Sequence, residues 1–208
     1  MSFERSVFIN CPFDDQYIDN LLKPILYVIV KNKFIPRLAL EVSDSGQVRL
    51  EKITQIIKGC KYSIHDISIV KAKEAGEYAR MNMPFELGID YGLRNCDDPL
   101  LKSKQFLILE AHKYDYMRAI SDISGFDVKV HGNETYKVFQ CLYSWFSETL
   151  KVNGQAPPRK LFYDFMDFNA SLFNEKYEQF GTDELAQDYI KNISIPEYIS
   201  EISERVSP

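Results

Sequence analysis

The chain has 208 residues, 45% of them apolar and 13% aromatic, which supports a sizeable core in one domain with an appendage. A net charge of −5, a pI near 5.3 and the lack of any Lys/Arg-rich block exclude a nucleic-acid-coating protein, so no direct nucleic-acid binding is expected. Scattered Cys11, Cys60, Cys96 and Cys141 and distant histidines form no disulfide framework or metal cluster, and no leader or spanning apolar run is present; a cytoplasmic protein with reduced thiols, no metal, no cofactor and no membrane contact is expected.

Residues 6–9 form a short β-branched and aromatic run, read as a strand. Asn10-Cys-Pro-Phe-Asp-Asp15 breaks it, and Asp14 or Asp15 suits a helix N-cap. Apolar residues recur at helical spacing over 17–31, with Pro24 implying a kink or a late start. A second strand is predicted over 34–40, then a polar loop over 41–47 and a helix over 48–58 stopped by Gly59. The third strand is predicted over 62–67. Residues 69–80 are charged and contain Gly76, and read as a mobile loop over the site. A helix then runs to about Asn95, with Asn82 or Met83 as cap, Pro84 first and Glu86 in its first turn. Gly88 and Gly92 share a face of that helix, which predicts close approach of a sheet or ligand.

Strands over 105–109 and 126–130 follow, separated by a loop and a short helix over 113–124. A strong amphipathic helix over 135–150 carries Trp145. Residues 153–158 are the linker, dividing a domain over 1–152 from a helical extension over 153–208. The aromatic stripe over 160–180 must be buried, and burial against a second copy is the favoured expectation, so a homo-oligomer is expected. The strand–helix alternation predicts a five-stranded, mainly parallel α/β sheet with helices on both faces.

In such a sheet the loops after the strands gather on one edge, the default ligand site. That edge offers Asp14, Glu41, Asp44, Asp66 and Glu86 as carboxylates, with Asn10, Ser43, Ser45, Gln47, Asn82 and Arg49 beside them. It lacks the G-x-G-x-x-G fingerprint, the P-loop and the G-x-S-x-G elbow, which argues against a hydride-transferring Rossmann enzyme, a kinase and an α/β-hydrolase. Cys11 stands at a strand terminus but has no basic cluster to activate it as a nucleophile. His65 reads first as a core-edge histidine and Asp66 as a turn cap, while Arg49 reads equally as a phosphate ligand or a solvated side chain. A well-placed Glu among hydroxyls and amides suits cleavage of an N-glycosidic bond, whose transition state resembles an oxocarbenium ion.

Val7-Phe-Ile-Asn-Cys-Pro-Phe13, Ile64-His-Asp-Ile-Ser68 and Asn82-Met-Pro-Phe-Glu-Leu-Gly88 together resemble the nucleoside 2-deoxyribosyltransferase-like branch, which is related to the TIR-domain superfamily. The resemblance covers about residues 6 to 131, and Phe85-Glu-Leu-Gly88 is its most specific part. It implies a flavodoxin-like, TIR-like fold, with Glu86 as catalytic carboxylate and Asp66 as a site acid. The loop of Asn10, Phe13 and Asp14 would hold the base or ribose, with Asp44, Ser45, Gln47, Arg49 and Asn82 as further substrate contacts. Cys11 stands where a glycine is usual, and residues 69–80 separate the Asp strand from the Glu helix. Those departures move the implied reaction from deoxyribosyl transfer towards hydrolysis of a nucleotide such as NAD. Relatives of this kind imply a role as a bacterial antiphage effector. The competing expectations are a non-catalytic nucleotide-sensing or assembly module and a nucleoside 2-deoxyribosyltransferase.

Overall fold

The computed structural model describes residues 2–41, 46–72 and 78–206. Five strands, β1 (Ser6–Asn10), β2 (Ile35–Arg37), β3 (Tyr62–Asp66), β4 (Gln105–Glu110) and β5 (Val128–Val130), form one sheet in the order β2-β1-β3-β4-β5. Every pairing is parallel. This is the expected flavodoxin-like α/β fold, and its strand order reverses between β1 and β3.

The helices before the C-terminal region are α1 (Asp15–Tyr17), α2 (Lys23–Lys31), α3 (Arg49–Lys58), α4 (Asn82–Arg94), α5 (Pro99–Lys102) and α6 (Thr135–Glu148). A π turn over Ile18–Leu22 joins α1 to α2, with the Lys23 N–H donating to the Ile18 carbonyl. Pro24 explains it. In a regular helix its ring would press on the carbonyl of Asn20, and the wider turn relieves that contact without breaking the helix. The expected kink is therefore a π turn. The Asp14 side chain caps the entry, accepting from the Tyr17 N–H at 3.0 Å.

Period-two alternation divides the strand residues between two layers. Val7, Ile9, Tyr62, Ile64, Leu107 and Leu109 face one core, shared with α2 and α6. Phe8 faces α3, and Ile108 packs with Met83 and Leu87 of α4. The second strand is shorter than expected, because a 3-10 turn over Ala39–Glu41 follows at once. The helix α5 is an element the sequence reading did not contain. Asp98 caps it, accepting from Leu100 N–H at 2.8 Å, and Pro99 opens it.

The C-terminal region is α7 (Pro158–Phe180), α8 (Asp183–Asn192) and α9 (Ile195–Val206). Gly181, at φ +79°, ends α7 in a left-handed cap, and Thr182 caps α8. The aromatic stripe of α7 returns in part to the chain's own core. Phe165 and Phe168 flank Tyr27 of α2 at 5.5 and 5.7 Å between ring centroids, and Phe168 meets Tyr198 of α9 at 5.7 Å. That packing buries Phe165 within the chain, while Met166 and Tyr177 of the expected stripe are exposed, so the stripe is divided between the chain's own core and its surface. Among the described residues no helix is long and apolar enough to cross a membrane.

The expectation for Gly88 and Gly92 is also corrected. A Cβ at either would meet nothing within 4 Å, so neither glycine serves a close approach of the sheet. Both then only weaken α4. Replacing Gly92, one turn from the helix end, by Ala is expected to stabilise the fold by about 0.5–1 kcal/mol. The midpoint of urea unfolding checks it; a variant no more stable than the parent would mean that this face of α4 is occupied.

Candidate functional site

The strand alternation sends neighbouring residues of β3 to opposite sides of the sheet. His65 points to α4 and Asp66 to the α1 side, and each anchors a separate polar cluster.

On the α4 side, Asp90 is fully buried and accepts from Ser63 Oγ and from His65 Nε2 at 3.1 Å. The ammonium of Lys104, also fully buried, lies 3.1 Å from Asp90 Oδ1. That contact is an ion pair without an aligned hydrogen bond, since Oδ1 accepts none. Lys104 also donates to the carbonyls of Ile57, at 2.8 Å, and of Cys60. Burial raises the Asp90 carboxyl pKa, but His65, the charge of Lys104 and Ser63 outweigh it and hold it below its ordinary value. Asn10 completes the chain. Its Nδ2 donates to His65 Nδ1 at 3.0 Å and to the Met83 carbonyl at 2.8 Å. The bond at Nδ1 assigns the His65 proton to Nε2, facing Asp90. Both Asn10 amide protons are thus spent on clamping β1 to β3 and to the start of α4.

On the α1 side, Asp66 is buried and saturated. Oδ2 accepts from Tyr17 Oη at 2.5 Å and from His131 Nε2 at 2.9 Å, and Oδ1 accepts from Ser68 N–H at 2.9 Å and from Ser68 Oγ. Burial works against ionisation here, and the hydrogen bonds from His131, Ser68 and Tyr17 overcome it, so the carboxyl pKa lies below its ordinary value. Ser68 Oγ, 3.1 Å from His131 Nε2, and Asp66 give a Ser–His–Asp set, but not a nucleophile triad. Serine and aspartate meet the same ring nitrogen, while Nδ1 accepts the Asn133 N–H at 3.1 Å. His131 therefore holds its proton on Nε2 and cannot take one from Ser68.

Glu86 differs from both. It sits on α4 one turn before Asp90, and only 8% of its surface is exposed. Among the described residues no donor hydrogen-bonds its carboxylate. Burial lifts its carboxyl pKa from near 4.5 to about 7, opposed only by the charge of Arg49. Its position in the helix is later than expected. Met81 precedes the first residue, Asn82, and Pro84 is the third, which moves Glu86 into the second turn. Burial, not the helix dipole, therefore governs its charge.

The other expected site residues are dispersed. Phe13 packs against the main core. Arg49 and Asn82, both exposed, are the first residues of α3 and α4. Gln47 lines a groove beside Arg37 and Glu41 at the β2 edge. Asp44 and Ser45 lie outside the described residues, as does the middle of the 69–80 loop. Cys11, almost wholly buried, is the link between the two sides. Burial and then the charges of Asp66, Glu86 and Asp14 push its thiol pKa well up. A thiol so held is no nucleophile at neutral pH. Among the described residues no cluster suited to a metal ion occurs. No protein-family model and no curated protein matches the sequence.

The functional residues missed in the sequence are Asp90, Lys104 and His131. Each reads locally as a solvated or loop residue, and each partner lies far along the chain.

Glu86 generates a pH-dependent stability. The folded state holds its proton more tightly than the unfolded chain, so its contribution is present below about pH 4.5 and lost as pH rises through about 7. Glu86→Gln removes this dependence. The variant is expected to gain on the parent between those pH values, reaching about 3 kcal/mol by pH 8. Thermal unfolding of both proteins at pH 4 and pH 8 checks it; an equal difference at the two pH values would contradict a raised pKa.

Proposed function

We propose that the protein cleaves the N-glycosidic bond of NAD or of a related nucleotide or nucleoside, with Glu86 as the acting carboxyl. The observation that carries this reading is a buried Glu with no hydrogen-bond partner among the described residues, at the carboxyl edge of a parallel sheet, with a carboxyl pKa of about 7. Such a group can take either charge state at neutral pH. A cationic pyridinium riboside placed beside it lowers its pKa and draws out the carboxylate. The carboxylate then stabilises the oxocarbenium-like transition state as the C1′–N bond breaks and its electron pair leaves with the base. Water adds to C1′ and gives its proton to Glu86. Arg49, whose charge acts on Glu86, would meet a phosphate of the same substrate. The implied role as a defence effector rests on the resemblance alone.

A second reading, a nucleotide-binding module without turnover, draws on Asp66. Of the two acids the resemblance implies, this one has its oxygens fully engaged within the protein, which leaves Glu86 to act without it.

Incubation with NAD and with deoxynucleosides, followed by chromatography of the products, tests the proposal. Release of nicotinamide is expected, its rate at low NAD concentration rising with pH through about 7 as Glu86 of the free protein ionises. Glu86→Gln is expected to lower it by about 100-fold or more. Equal turnover by the variant would exclude Glu86, and binding of NAD without products would favour the module.

A further inference from the structure

An opening on the same edge has no part in the reaction proposed for Glu86. It is a cavity of about 300 Å³ between the π turn and the residues that follow β3, β4 and β5. Neither Glu86 nor Arg49 lines it. It flanks the reversal of strand order on the α1 side, where open α/β sheets take ligands. The turn forced by Pro24 contributes Asn20 and Leu21 to its wall, and Asp66 lies beneath Tyr17 and Ser68 at its floor.

We propose that this cavity binds an uncharged, hydroxyl-rich molecule of monosaccharide size. Three carboxamide residues, Gln16, Asn20 and Asn133, line it. Carboxamides both donate and accept, which matches hydroxyl groups that do the same. Leu21, Ile69 and Ala111 supply apolar surface for the C–H faces of a sugar ring. The charges argue against an anion. Lys71 is paired to Asp115 at 2.6 Å, Asp14 adds a further negative charge, and no arginine is among the described lining residues. A phosphate there would face two carboxylates and, among the described lining residues, find the one lysine already engaged. The volume lies at the lower end for ligand pockets, which suits one ring and not a dinucleotide.

Asn20 and Gln16 are exposed side chains, and Asn133 adopts φ +56°, which glycine tolerates. Asn20→Ala with Asn133→Gly therefore removes two of the three carboxamides at little cost to the backbone, and Gln16→Ala serves as an independent variant. Calorimetric titration of the full chain with D-glucose, D-ribose, D-glucose 6-phosphate and D-glucosamine tests the proposal. Saturable binding of a neutral sugar is expected, weakened about tenfold or more by the double substitution, by Gln16→Ala and by the added phosphate, and unchanged in Glu86→Gln. The proposal is overturned by no saturable binding of either neutral sugar, by tighter binding of the phosphate ester or the amine, or by binding indifferent to the carboxamide variants. Loss of sugar binding in Glu86→Gln would place the sugar at the other site and overturn it equally. Failure of glycosidic cleavage leaves these outcomes unaffected, since none of them reads turnover.

Discussion

The buried pair of Lys104 and Asp90 is the constraint on which the α4 side depends. Two charges removed from water cost several kcal/mol each, and they are tolerated only because each is surrounded by further partners. Asp90 has Ser63 and His65; Lys104 has the carbonyls at the end of α3. Loss of either ion would strand the other, at about 3–5 kcal/mol. The pair therefore fixes the helix more than it stabilises it. From Asp90 the chain of bonds runs through His65 and Asn10 to the carbonyl of Met83, so α4 is pinned at its first turn and at its middle. Glu86 lies between those two points. Its carboxylate is held where burial is nearly complete and no partner is supplied, and the contrast with Asp90, one turn further on, shows how fully neighbours decide a carboxyl's charge.

The sheet's alternation gives the edge two distinct sides. His65 and Asp66 are adjacent in sequence, yet one serves α4 and the other serves Tyr17 and His131. The same geometry separates the Glu86 position from the cavity under the π turn. Cys11, at the end of β1, feels the carboxylates of both sides, and its thiol is kept protonated as a result. Each side is thus organised by its own buried aspartate, Asp66 with both oxygens hydrogen-bonded and Asp90 with one oxygen hydrogen-bonded and the other ion-paired to Lys104.

The sequence was most legible where the chemistry is local. Strand–helix alternation led to the parallel sheet and Asp14 to its cap. The turn holding Glu86 was misplaced because Pro84 is tolerated at the third helical position as well as the first, its N–H being surplus at both. The stripe on α7 was visible, but periodicity says only that a face is buried and not by what. Lys104 and His131 were invisible for a different reason. Their meaning comes from Asp90 and Asp66, and only the parallel pairing of strands far apart in sequence brings them together. Asn10 stood at the expected strand end, yet its neighbours turn both amide protons inward.

The account's central claim is that burial, with no compensating partner, holds Glu86 near half-ionisation at neutral pH. Carbon-detected NMR of the side-chain carboxyls across pH 3 to 9, with the Glu86→Gln spectrum assigning the resonance, measures it directly. The account predicts a titration midpoint of about 7 for Glu86. A midpoint near 4.5, the ordinary value for a glutamate, would contradict it.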